Sequence, residues 1–373
     1  MKNSNSSKKH TRLLSIDALR GFDMLMIAGG GSVIAALGGK TDIGLINGLA
    51  AQFEHPAWNG FTFYDFIFPL FLFIAGVSLP FSLNKGLQLG LSKQALYKKA
   101  FKRMVILILL GILYKNAPVP VFDWSQIRFG SVLGRIGFAG FIATVLYLNF
   151  NIKGKIFWVS GLLLFYYAAL MLIPVPEFGA GDLSFEGNLT GWIDRTFNPG
   201  RLLQGTYDEL GIFTQLPALC LTVLGTLAGD ILRNQHISPY KKLNQLAVAG
   251  VIFLVAGLLW GLIFPINKHL WSSSFILFTG GLAFLSLGLF YWVIDILGYH
   301  KWAFFFKVIG MNSLMIYLAY HFISFRNTSR LLFEGIYEVT PEALHSFFES
   351  VGALGLVWLF LYFLYRKKIF LKV

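Results

Sequence analysis

The chain is short of charge, shorter still of acid, and almost without cysteine. Asp, Glu, Lys and Arg make up 13% of its 373 residues, against about a quarter in soluble domains. With 56% hydrophobic residues, that scarcity excludes a water-soluble surface, because one core cannot hide so much apolar area. The single thiol, Cys220, lies in an apolar run. It excludes an intramolecular disulfide and any cysteine cluster for a metal. HExxH, CxxC, GxSxG, Walker A and a strand–helix GxGxxG are also missing, so no metal site is expected and common hydrolase and nucleotide-binding chemistries have no motif to rest on. Heptads and low-complexity tracts are absent too.

What the chain has is long apolar runs. They fall at 13–37, 61–83, 101–114, 131–150, 156–173, 211–232, 243–264, 273–295, 302–324 and 347–365, each near the length a bilayer-crossing helix needs. The run at 101–114 is short, and its helix begins earlier if Lys102 and Arg103 snorkel. The expected fold is an all-α integral membrane protein of about ten transmembrane helices. Residues 1–12 read as a cytoplasmic tail, too charged downstream for a cleavable leader. Residues 13–373 read as a single membrane domain with an outer loop at about 174–210.

Basic residues exceed acidic ones by 31 to 18, a formal charge of +13. Placed on loops, they alternate. Lys8, Lys9, Arg12, the 84–103 segment, Lys153, Lys155, Arg233, Lys241, Lys242, Lys301 and the tail RKKIFLKV share one side. The 174–210 loop on the other side carries six acids against Arg195 and Arg201. This is the positive-inside pattern with both termini cytoplasmic, in a bacterial inner membrane. The cations form no stripe with interleaved aromatics, so the lipid bilayer is the expected partner and nucleic acid is not. Many of the nine tryptophans, among them Trp58, Trp124, Trp158, Trp192, Trp271 and Trp302, flank the runs as an interfacial belt.

Ionisable groups inside spans are costly, so each needs a partner or a task. Asp17, Arg20 and Asp23 are spaced by three on the first span, adjacent on one helical face. Two readings stand: a buried ion triad that fixes packing, or a cavity for an anionic ligand. In EHPAWNGFTFYDFIFPLF, Glu54 and His55 precede the second span, and Asn59, Thr62 and Asp65 follow at helical spacing. Pro69 denies the Asp65 carbonyl its helical donor and predicts a bend. A polar pocket at that membrane face explains the group better than lipid packing does. Of seven histidines, only His55 has such company; the others, His269 included, read as loop or packing residues. AGGGS at 28–32 reads as a close-packing or unwound segment. Arg135, Asn312, Asn267 and Lys268 are further polar spots, for which capping or interhelical hydrogen bonding is the simplest reading.

Several pieces, in order, resemble the heparan-α-glucosaminide N-acetyltransferase family, in particular its short bacterial members. They are SIDALRG at 15–21, HPAWNGFTFYDFIFPLFLFIAGVSL at 55–79, LGRIG at 133–137, YDELG at 207–211, LGTLAGD at 224–230, PINKHLWSSSF at 265–275 and GMNSLMIYL at 310–318. The resemblance implies a membrane acetyltransferase that takes acetyl from cytosolic acetyl-CoA to the amine of a glucosamine-type sugar or glycan across the membrane. It implies His55 as the catalytic base or acyl carrier, with Asp65 beside it. Asn59 or the Trp58 indole is a candidate oxyanion donor, and Glu54, Asn267, Lys268 and Asn312 are acceptor-side candidates. Arg20, Asp17 and Arg135 are candidates on the CoA side, and a second copy of the chain is a candidate partner. One departure stands out: the lysosomal members carry an asparagine just before the glycine run, and here the region reads MLMIAGGGS, which leaves that role to another residue such as Asn59 or Asp23. A transporter or flippase for a sugar or lipid-linked intermediate is the rival class, because intramembrane charge and broken helices serve it equally. A purely structural subunit is the third.

Overall fold

The computed structural model describes residues 13–118 and 123–371; the expected tail lies outside them. Among the described residues the regular structure is helical, apart from one isolated bridge between Val175 and Gly179. In chain order the helices are α1 (Leu14–Leu25), α2 (Gly31–Ala35), α3 (Gly44–Ala51), α4 (Phe63–Gln88), α5 (Lys93–Asn116), α6 (Val132–Asn149), α7 (Ile152–Leu172) and α8 (Leu189–Phe197). They continue with α9 (Gln215–Arg233), α10 (Pro239–Gly261), α11 (Ser273–Phe290), α12 (Ala303–Gly310), α13 (Ser313–Phe322), α14 (Phe325–Leu332), α15 (Glu334–Glu338) and α16 (His345–Arg366).

Among the described residues eight helical stretches are long and apolar enough to cross a membrane, and the pair α12–α13 makes a ninth if counted as one bent span. The 24-residue α5 is long enough for a tenth, but Lys98, Lys99, Lys102 and Arg103 crowd its first half. Two expected spans are interrupted. A π turn at Met26–Gly30 separates α1 from α2, with Gly29 at φ 110°, a conformation that suits glycine alone. The Tyr320 hydroxyl donates to the Ala28 carbonyl freed there. The 302–324 run bends by 67° between α12 and α13. Helices α3, α8, α14 and α15 lie in segments expected to be loops; they are too short to stand out as periodic runs.

Glycines set the closest crossings. A Cβ on Gly76 of α4 would lie 2.0 Å from the Thr222 carbonyl oxygen of α9, and one on Gly225 would lie 2.1 Å from the Phe73 carbonyl oxygen. The two backbones therefore touch, the usual way helices associate in lipid. Gly21 meets the Phe306 backbone and Gly310 the Asp17 backbone, which joins α1 to α12 in the same manner.

Helix α4 runs through Pro69 and Pro80 as one continuous helix. It carries Asp65 in its first turn and Asn84 near its last, about 28 Å apart at 1.5 Å per residue. Asn84 donates to the Tyr147 hydroxyl, which donates to Asp230, and Lys155 closes the network on Asp230 at 2.7 Å. Lys155, expected as a loop cation, is buried there.

Candidate functional site

The first turn of α4 makes the site. Thr62 caps it, and Asp65 returns the favour: its Oδ2 accepts the Thr62 N–H at 3.0 Å, a capping box. The helix therefore starts at Phe63. Asn59 lies in the preceding loop, not on the helical stripe expected for it. That loop is pinned at its base, where Gln52 accepts from the Phe63 and Tyr64 amides and the Glu54 carbonyl accepts from Thr62 Oγ1. His55 is thereby swung over the helix start, and its Nδ1 lies 2.6 Å from Asp65 Oδ1. An ionised carboxylate only accepts, so Nδ1 carries the proton and the Nε2 lone pair is left for chemistry. The imidazole stacks on Tyr64, centroids 5.0 Å apart, and is 41% exposed, whereas Asp65 is 1% exposed.

Lys268 arrives from the turn between α10 and α11. Its Nζ lies 3.1 Å from His55 Nε2 and 3.3 Å from Nδ1, and 3.5 Å from Asp65. A hydrogen bond along the Nε2 lone pair would leave Nδ1 much farther away, so the ammonium sits against the ring without occupying that lone pair. The turn is braced by Asn267. Its Nδ2 donates to Asn59 Oδ1 at 3.0 Å and its Oδ1 accepts the Leu270 N–H, while the Gly60 N–H donates to the Ile266 carbonyl. Asn267 thus joins two loops instead of facing a ligand. The Trp58 indole N–H is spent on the Leu183 carbonyl at 2.9 Å, which removes it as an oxyanion donor.

A third segment, YDELG, completes the cluster and was not anticipated in it. The Tyr207 hydroxyl bonds His269 Nδ1 at 2.7 Å, and His269 stacks flat on Trp58. Burial, with Glu209 and Asp208 nearby, pushes the Tyr207 hydroxyl up, so it is the donor. Asp208 is buried and held by Arg128 through two 2.7 Å bonds. Glu209 approaches Lys268 and His269, each at 3.9 Å. Asp194 of α8 accepts the Asp208 and Ile212 amides. Burial outweighs these donors and pushes its carboxyl up to about 6. The signal that could have found this segment was the YDELG piece itself, three polar residues in a row beside an apolar run.

Other expected site residues stand elsewhere. Arg135, in the first turns of α6, is 1% exposed. It lies over the Trp271 ring at 4.5 Å and donates to the Glu209 carbonyl at 2.8 Å. It supports the YDELG turn and is not grouped with the cations of the opposite end. Arg20 bonds Ser78 at 2.6 Å and Asp17 at 3.5 Å. Ser78 is about 20 Å along α4 from Asp65. Asp23 is fully buried, and neither of its oxygens has a hydrogen-bond partner among the described residues. Asn312, at the α12–α13 break, ties down the Ile369 carbonyl and the Leu371 amide and is not in the cluster. The Glu54 residue is exposed beside His55. Among the described residues no group of His, Cys, Asp and Glu is arranged to hold a metal.

Fold and site together define a helical protein of many apolar spans, with an imidazole–carboxylate pair and a lysine at one end. The model of the heparan-alpha-glucosaminide N-acetyltransferase catalytic family matches residues 12–258, and the chain belongs to that family. It is 28% identical to heparan-alpha-glucosaminide N-acetyltransferase of Mus musculus and equally so to that of Homo sapiens, over 97% of this chain. It spans 60% of the length of each relative.

Proposed function

We propose that the chain is an acyltransferase that moves acetyl from acetyl-CoA to the amine of a glucosamine-type sugar. The observation that carries this reading is the 2.6 Å bond from His55 Nδ1 to Asp65, which leaves Nε2 open beside Lys268. Acyl transfer to an amine needs a base for the proton and a positive group where the oxyanion forms. His55 supplies the first. Lys268, rather than the Trp58 indole that is spent on Leu183, supplies the second. The ammonium of the acceptor gives one proton to Nε2, its nitrogen bonds the acetyl carbon, the carbon–sulfur bond breaks, and the second proton goes to the departing thiolate. Whether acetyl rests on Nε2 or passes directly, the same free lone pair serves.

The donor enters from the opposite, basic end. There Lys99, Lys102 and Arg103 line a cavity of about 520 Å³ between α4, α5 and α6 with Ser82 and Thr144, which suits the phosphates of CoA, and Arg20 of α1 stands beside Ser78 of α4. By the positive-inside pattern this end faces the cytoplasm of a bacterial cell and His55 faces outward.

The test is thiol release by the purified protein given acetyl-CoA and glucosamine. Native protein releases CoA only with acceptor present, and His55→Ala loses at least about 100-fold in rate while keeping its helical circular dichroism. Gradient-driven sugar uptake without thiol release would establish transport instead.

A further inference from the structure

The transfer step uses His55, Asp65 and Lys268 and leaves Glu209 without a task, although it borders the same lysine. Its main-chain carbonyl is occupied by Arg135 and Thr214, so the residue is held from beneath. Its carboxylate is not. Its ion-pair neighbours, Lys268 Nζ and His269 Nδ1, both stand at 3.9 Å, outside hydrogen-bond range, and the side chain is 21% exposed.

Both neighbours are engaged elsewhere. His269 Nδ1 receives the Tyr207 hydroxyl, and its other nitrogen faces the Pro56 carbonyl at 3.5 Å. Lys268 leans on the His55 ring and Asp65 at shorter distances. The other carboxylates nearby are accounted for: Asp208 by Arg128, Asp194 by two backbone amides. Lys268, Arg135 and Lys115 all act on Glu209 through charge, but no described side chain hydrogen-bonds its carboxylate. An incoming ammonium gains a charge-assisted hydrogen bond there, and a neutral hydroxyl gains only a weaker one.

We infer that Glu209 recognises the acceptor as its ammonium ion, so that the site selects a primary amine over a hydroxyl. This rests on the acetyl-transfer reading. Glu209 takes no part in bond making. It holds the ammonium through charge-assisted hydrogen bonds within reach of His55, which then removes the first proton. Trp58 and Phe185, packed edge to face over the buried Tyr207, form an apolar wall beside the carboxylate for the rest of the sugar.

The test is ligand-observed NMR titration of the full chain in detergent at about pH 6, where a sugar amine keeps its proton. Glucosamine and glucose are compared on native protein, Glu209→Gln and Glu209→Asp. Native protein binds glucosamine about tenfold more tightly than glucose. Glu209→Gln binds the two alike, its unchanged glucose affinity showing an intact site, and Glu209→Asp keeps a preference for the amine. Equal binding by native protein, or an undiminished preference in Glu209→Gln, overturns the assignment. Thiol release measured in parallel separates the two claims. Selective binding without release keeps Glu209 as the ammonium site and removes the transferase; release without selective binding does the reverse.

Discussion

Asp65 does two jobs with two oxygens. Oδ1 holds His55 and Oδ2 closes the cap on Thr62, so the group that starts the helix also orients the imidazole. Asparagine can satisfy only one of these partners with its oxygen. If the amide nitrogen turns to Nδ1, the imidazole proton moves to Nε2 and the lone pair needed for chemistry is gone. Asp65→Asn is therefore expected to lower kcat for thiol release by about 100- to 10,000-fold, as other histidine–aspartate pairs do. The loss of one cap costs about 1 kcal/mol, too little to unfold the chain. Steady-state kinetics set beside the apparent Tm checks both halves. A variant with near-native kcat would take Asp65 out of the mechanism and leave it as a cap.

At the scale of elements, α4 and α9 meet backbone to backbone at Gly76 and Gly225. Gly76→Ala forces its methyl into the Thr222 carbonyl and is expected to cost about 1–3 kcal/mol, read as a lowered apparent Tm in detergent. Gly161 of α7 has nothing near its would-be Cβ, so Gly161→Ala should hold or gain stability by up to about 1 kcal/mol. Equal Tm values for the two would mean that the helices do not approach as closely as described. The spans themselves were legible because runs of twenty apolar residues have few alternatives. His55, Asp65 and Lys268 were legible as polar groups beside such runs. Asn59 was misplaced because helical spacing was extended past Thr62, although the Thr62–Asp65 capping box was there to read. The contacts of Glu209 and His269 were not legible: the loops that carry them lie some 60 residues apart in sequence, and loops have no periodicity to betray what they meet. Arg135 was visible as a buried charge, but its partner, a main-chain carbonyl on another segment, leaves no mark in composition.

At the scale of the whole molecule, the two ends differ in chemistry. Lys155 leaves the tally of loop cations once it is seen paired with Asp230, yet Lys85, Lys93, Lys98, Lys153 and Lys241 still crowd one end. The 174–210 loop keeps its acids at the other. Loop cations resist translocation, so the basic end should be cytoplasmic and His55 should face outward. The sole cysteine makes this testable, because Cys220 is buried and should give little labelling background. Lys40 and Lys153 are both exposed and belong to opposite ends. With a membrane-impermeant maleimide, Lys40→Cys should label in intact cells, and Lys153→Cys only after the membrane is opened. The reverse pattern would put His55 on the same side as cytosolic acetyl-CoA. Donor and acceptor would then meet without any transfer across the bilayer, and the cations at the far end would have no part in bringing CoA to the site.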